Sequence, residues 1–129
     1  MTHQRSVLVV EDDDIVAELF QHLLSDEGMQ VSLASSGVEA RRALAARDYD
    51  AVVLDIRLPG QEDGLKLAEV AVGEGCGVVL MTGDHRFEKT LIASGHRYLL
   101  KPFRVERLLS AIEQAIRQSQ QRARREGST

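Results

Sequence analysis

The chain has a single cysteine, two prolines and no tryptophan among its 129 residues. With one cysteine, Cys76, an internal disulfide is excluded, and a reducing compartment fits. No apolar run approaches the roughly 20 residues of a membrane span. The start, Met1 to Arg5, leads straight into a strand-like run and holds no signal-peptide apolar region. Internal repeats and low-complexity linkers are also missing. Net charge is −4, and it is uneven: residues 1–116 carry 12 basic and 19 acidic side chains, while residues 117–129 carry four arginines and one glutamate. An acidic body argues against nucleic acid as the main partner, because phosphate binding needs a basic surface. The basic end reads most plainly as a solvated helix end. These exclusions leave a soluble cytoplasmic protein of one domain, long enough to bury one sheet-based core.

What is present is an alternation. Apolar strand-like runs recur at Val7–Val10, Val31–Ala34, Ala51–Leu54, Val78–Met81 and Tyr98–Leu100. Segments of helical length lie between them. Ile15, Leu19 and Leu23, with Val16, Phe20 and Leu24, form an i, i+4, i+8 stripe. Asp13 or Asp14 suits its N-cap, and Gly28 its stop. Val105, Leu108, Leu109, Ile112 and Ile116 form a second stripe, expected to fray past Gln118, where the sequence turns polar. Val38–Ala46, Leu65–Val72 and Arg86–Ser94 are less periodic, but their place between strands makes them helices. Five such β–α pairs predict a parallel sheet with helices on both faces. The near-continuous apolar strands suit a sheet covered on both sides.

Three of these runs end in charge: Val10 is followed by Glu11 and Asp12, Leu54 by Asp55, and Leu100 by Lys101. Burial accounts for the apolar runs but not for the charges that end them. In open parallel sheets, ligands sit beyond the carboxyl ends of the strands. Two adjacent acids there can act on one hard cation, directly or through water, since Mg²⁺ prefers oxygen ligands. The plainer reading, that acids in the Glu11–Asp14 run cap the next helix, applies to Asp13 or Asp14. Asp55 beside two more carboxylates is costly unless a cation neutralises the group. With the cation present, an ionised Asp55 can attack a phosphoryl group as a carboxylate nucleophile. A strand-end aspartate making a local turn is the plainer alternative, but it leaves Glu11 and Asp12 unexplained. Thr82 and Lys101 then offer a hydroxyl and an ammonium to phosphoryl oxygens.

Acid pair, Asp55, Thr82 and Lys101-Pro102, each at a different strand end, resemble the receiver domain of two-component response regulators over residues 5–117. Residues 118–129 form a polar, basic tail. The resemblance implies a flavodoxin-like (βα)5 fold with strand order 2-1-3-4-5. It implies that Asp55 is the phosphoacceptor, with Mg²⁺ held by Glu11, Asp12, Asp55 and the backbone carbonyl of Arg57. Thr82 and Lys101 would meet the phosphoryl group, Tyr98 would be the aromatic switch partner of Thr82, and the Lys101–Pro102 bond would be cis. The implied partners are a histidine kinase or histidine phosphotransfer protein and a downstream protein, with homodimerisation open. Such a module is not an enzyme in the ordinary sense; it catalyses only its own phosphorylation and dephosphorylation.

Two departures stand out. The loop Pro59–Gly64 is one residue longer than the family pattern, and the Thr82–Lys101 stretch about three shorter. The second predicts a short fourth helix and an altered signalling face. Arg57 and Asp84, each two residues beyond a site residue, are expected to face one another at the mouth of the site.

Other readings fare less well. A phosphohydrolase of the haloacid-dehalogenase type also uses an aspartyl nucleophile, but its second acid would stand where Arg57 does. An interaction module working without phosphorylation is the alternative function, opposed by the complete acid, threonine and lysine set. Gly73-Glu74-Gly75-Cys76-Gly77 misses dinucleotide-loop spacing and reads as a flexible connection. His3, His22, His85 and His96 are scattered and read as surface residues, and Cys76 as inert. The start at Met1, with no output domain visible, favours a stand-alone protein or an N-terminal receiver.

Overall fold

The computed structural model describes residues 4–57 and 63–127; His3 and the expected loop insertion at 59–62 lie outside them. Strands β1 (Ser6–Val10), β2 (Gln30–Ala34), β3 (Ala51–Asp55), β4 (Gly77–Thr82) and β5 (Arg97–Leu100) alternate with helices. The helices are α1 (Asp14–Asp26), α2 (Gly37–Ala46), α3 (Gly64–Gly73), α4 (Glu88–Ser94) and α5 (Val105–Gly127). The strands pair in parallel in the order β2-β1-β3-β4-β5, the flavodoxin-like arrangement.

Strand alternation sorts the core into two layers. Leu8, Val10, Val52, Leu54, Val78 and Leu80 point to one face, against Ala40, Leu44, Leu67, Ala71 and Leu91 of α2, α3 and α4. Val7, Val9, Val53, Val79 and Met81 point to the other, against Phe20 and Leu24 of α1 and Leu108, Ile112 and Ile116 of α5. Burying each such side chain contributes about 1.5–3 kcal/mol before entropy is counted. Gly77 lets α5 settle directly on β4: a Cβ there would stand 2.6 Å from the Ala115 carbonyl carbon.

Several local expectations change. Asp13 is the α1 cap, its carboxylate accepting from the Ile15 and Val16 N–H groups. The α1 stripe is only half buried: Phe20 and Leu24 face the core with Ala17, whereas Ile15 is 81% exposed and Leu19 56%. An i, i+4 rule finds both edges of a wide stripe, and a helix on a sheet buries the edge where small Ala17 allows close approach. The fourth helix is a 3₁₀ turn, His85–Phe87, followed by only seven α-helical residues. The glycine-rich segment is a tight cap and not a flexible connection: Gly75 adopts φ +84°, and the N–H groups of Glu74, Gly75 and Cys76 return to carbonyls of Val70, Ala71 and Val72. Nor does α5 stop at Gln118. It runs to Gly127, because glutamine, arginine and alanine are good helix formers even without a core to cover.

Candidate functional site

Register places the site. Val10 lies opposite Leu54, Leu54 opposite Leu80, and Thr82 opposite Leu100, so β1, β3, β4 and β5 end within two residues of one another. Glu11 is tied to the sheet by its N–H to the Ala34 carbonyl (3.0 Å), and Lys101 by its N–H to the Thr82 carbonyl (2.8 Å). Glu11, Asp55, Thr82 and Lys101, far apart in sequence, therefore share one end of the sheet. The Lys101–Pro102 bond is cis.

The Lys101 ammonium joins the acids. Its Nζ donates to Glu11 Oε1 at 2.8 Å and to Asp55 Oδ2 at 3.0 Å. Glu11 is 3% exposed. Burial lifts its carboxyl above the ordinary glutamate value, and the hydrogen bond and charge of Lys101 offset only part of that rise. Burial acts the other way on Lys101, yet its bonds to Glu11 and Asp55 hold the ammonium above its ordinary value. The second oxygens are occupied too: Asp55 Oδ1 accepts from the Arg57 N–H (2.8 Å), and Glu11 Oε2 from the Asp12 N–H (3.1 Å). Thr82 is fully buried, its Oγ1 accepting from the Asp84 N–H at 3.1 Å.

An open cleft of about 660 Å³ is lined by Asp12, Asp55, Arg57, Thr82 and Lys101, with Asp84, His85 and Arg86 at its mouth. The expected Arg57–Asp84 pair is present, at 3.4 Å. It is not exclusive. Arg86 grips the same carboxylate at 2.7 Å, and the Arg57 guanidinium also lies over the Phe87 ring, 5.9 Å from its centroid. Chiefly through the Arg86 side-chain bonds, the Asp84 carboxyl is held down to about 2. Arg86, Phe87 and His85, whose Nε2 reaches the Lys101 carbonyl at 3.4 Å, were not singled out for this mouth from the sequence. The one cue was Asp84 two residues before Arg86, the spacing of a helix cap that here closes the 3₁₀ turn.

Tyr98 sits half-buried on β5, its hydroxyl donating to Glu88 Oε2 at 3.2 Å. Of the histidines, His22 is a surface partner of Glu18, while His96 is not a surface residue. Its side chain is 9% exposed and meets Glu69 of α3 at 3.3 Å. Cys76 is buried, and burial pushes its thiol up to about 11, which suits an inert residue.

Among the described residues no three His, Cys, Asp or Glu side chains converge on one point. The donor chemistry still fits a hard cation. Asp12 and Asp55 face one cleft, and Mg²⁺ commonly uses one or two carboxylates and keeps several waters. Glu11, turned toward Lys101, lies behind them.

Aligned strand ends, an acid pair, a central aspartate and a lysine bonded to it define an open α/β module whose charged side chains meet at the carboxyl end of its sheet. The family model for the response regulator receiver domain matches residues 7–113, and the chain belongs to that family. It is 35% identical over 120 residues to the transcriptional regulatory protein AruR of Pseudomonas aeruginosa, covering 86% of this chain and 49% of AruR. The chain spans about half the length of the curated relatives it matches. Among solved structures, a receiver protein from Sinorhizobium medicae superposes with a TM-score of 0.81 at 28% identity, covering 91% of this chain and 98% of that one. TrrA of Thermotoga maritima, solved with Mg²⁺ and BeF, superposes with a TM-score of 0.77 at 27% identity, covering 87% and 99%.

Proposed function

We propose that this receiver takes a phosphoryl group from the phosphohistidine of a histidine kinase or phosphotransfer protein onto Asp55, and changes its partner binding in response. The observation that carries this reading is the Lys101 ammonium held between Asp55 and Glu11, with Asp12 and Thr82 beside it. An Asp55 carboxylate oxygen attacks phosphorus. The O–P bond forms as the P–N bond to the donor imidazole breaks, and the imidazole nitrogen leaves with the bonding pair. Hydrolysis later returns the carboxylate and releases inorganic phosphate, so the turnover is the module's own and not that of an enzyme on a separate substrate.

Asp12 and Asp55 would hold Mg²⁺, with Glu11 behind them and the Arg57 backbone carbonyl beside them; when bound it supplies positive charge against the phosphoryl oxygens. Lys101 is positioned to move from the free carboxylate to the new phosphoryl oxygens. The Thr82 hydroxyl, which accepts from the Asp84 N–H, can donate its own hydrogen to the same group. Tyr98, whose hydroxyl is bonded to Glu88, is placed to follow Thr82 inward, a two-state shift biased by local charge.

Incubation with labelled acetyl phosphate and Mg²⁺ tests this. One acid-stable, base-labile phosphoryl group per chain is expected, absent from Asp55→Asn and lost on chelation. Label that persists in that variant overturns the assignment. A wild-type chain that takes no label would be an interaction module working without phosphorylation.

A further inference from the structure

The phosphoryl cleft lies at the carboxyl ends of the strands. At the opposite end of the sheet, a hollow of about 580 Å³ opens between Arg97, the first residue of β5, and the C-terminal half of α5. Its lining is uniform in chemistry. Four arginines (Arg97, Arg117, Arg122 and Arg125) and three glutamines form it, and among the described residues no carboxylate does. Of the carboxylates nearby, Glu88 lines only the adjoining hollow beside β5 and is bonded to Tyr98. Glu113 is turned to Arg5, at 3.2 Å. This donor-only wall belongs to a chain whose first 116 residues carry more acid than base.

The scaffold under these arginines is fixed. Beyond Ile116, α5 has no core to cover, yet two side chains tie it to neighbouring loops. The Gln118 amide donates to the Gly95 carbonyl at 3.3 Å, and the Ser119 hydroxyl to the Gly75 carbonyl at 2.7 Å. The helix macrodipole offers a plainer account of basic residues here, because cations near a helix C-terminus complement it. That effect is confined to the last turn, so it covers Arg124 and Arg125. It leaves out Arg97, which is on a strand, and Arg117, which stands well before the helix ends. Like charges gathered on one wall also repel, as Arg122 and Arg125 do at three residues' spacing on one helix. An anion in the hollow reverses that cost.

We infer that the hollow binds a chain of linked phosphates, as carried by a nucleoside triphosphate or by inorganic polyphosphate. Each guanidinium presents a planar fork of donors that matches phosphoryl oxygens two at a time. Arg117 and Arg125 are separated by about 12 Å along the helix, so the arginines meet several phosphoryl groups and not one. The glutamine amides donate to the remaining oxygens. A volume of this size falls within the roughly 300–1,000 Å³ of small-ligand sites. A peptide strand finds no main-chain partners on the α5 wall, whose backbone groups are bonded within the helix. A nucleic acid finds no aromatic ring among the lining residues on which to stack its bases. None of this depends on the chemistry of Asp55.

Calorimetric titration of the full chain with inorganic tripolyphosphate, in metal-free buffer, tests the site. One saturable site per chain is expected, weakened by added salt. The guanidinium NMR signals of Arg97, Arg117 and Arg122 should shift, while those of Arg57 and Arg86 stay in place. Arg97→Gln and Arg117→Gln should each weaken binding about tenfold. Arg124→Gln removes the same charge from the same helix outside the hollow, and should change binding less than about twofold. All three variants should keep wild-type melting and phosphoryl labelling. ATP in place of tripolyphosphate separates the two sources: tighter binding of ATP assigns the site to a nucleotide, and equal binding to the phosphate chain alone. The proposal is overturned by no saturable binding, by equal losses in Arg124→Gln and Arg117→Gln, or by shifts centred on Arg57 and Arg86. It is also overturned if a glutamate-rich peptide or an oligothymidylate of equal charge binds more tightly than tripolyphosphate, which would make the hollow a surface for a macromolecule.

Discussion

Two charged regions of this receiver obey opposite rules. At the carboxyl ends of the strands, charges interlock: half-buried Lys101 with buried Glu11 and with Asp55, and the exposed Arg57 and Arg86 with Asp84 at the mouth. Along the β5–α5 edge, six arginines and one carboxylate line a groove among the described residues. The difference lies in solvent. In the cleft a missing partner leaves a group that water cannot fully restore, so each charge matters to both stability and chemistry. On the open edge water screens charges more strongly, and the cluster acts through its summed field on a visiting anion.

Removing the cleft's central cation should break that contrast most sharply. Lys101→Met leaves Glu11 buried beside Asp55 with no counter-charge, and should lower unfolding stability by about 1–3 kcal/mol in urea. The variant should also lose the structural response to acetyl phosphate, read from amide shifts near Tyr98. An unchanged urea midpoint would mean that Lys101 is as solvated as the groove arginines.

A smaller effect is expected at the mouth of the cleft, where solvent and enclosure meet. The Arg57 side chain is 62% exposed, so its pairing with Asp84 is worth only about 0–1 kcal/mol. Its place over Phe87 at the mouth of the cleft would shield Asp55 from attacking water. Arg57→Ala should therefore release inorganic phosphate several-fold faster from the labelled protein, with melting nearly unchanged. Equal or slower release rejects the shielding role.

The smallest effect is spectroscopic. Asp84 is held down to about 2, first by the Arg86 side-chain bonds. Its folded value lies below its unfolded one, so the stabilisation it contributes is complete above the ordinary aspartate range and is lost as pH falls toward 2. The Asp84 carboxyl carbon signal should report an ionised group at pH 3, and Arg86→Ala should raise the midpoint. A midpoint near 4 in the wild type would show that the mouth charges are as loosely held as those of the groove.

Much of the fold was legible because its signals are local. Apolar runs of three or four residues, spaced by helical segments, were sufficient for five parallel strands, and the charged endings of three of them meet at one end of the sheet. Legibility failed where the deciding contact was distant. The Ile15–Leu19 edge of α1 is as apolar as the Phe20–Leu24 edge, and only docking on the sheet decides which is buried. The polar stretch after Gln118 read as frayed because burial was taken as the condition for helix. His96 read as surface because Glu69 is remote in sequence.

The amino-acid sequence by itself determined the alternation of elements, the two-sided core, and the identity of the residues at the strand ends, all set by periodicity and residue chemistry within short windows. Only the tertiary structure decided that Lys101 bridges Glu11 and Asp55, that Arg86 and Phe87 join Arg57 at the mouth, and that Arg97 meets the arginines of α5 along an open edge. Those meetings depend on strand order and register, which bring together residues tens of positions apart, and no local pattern encodes such distances.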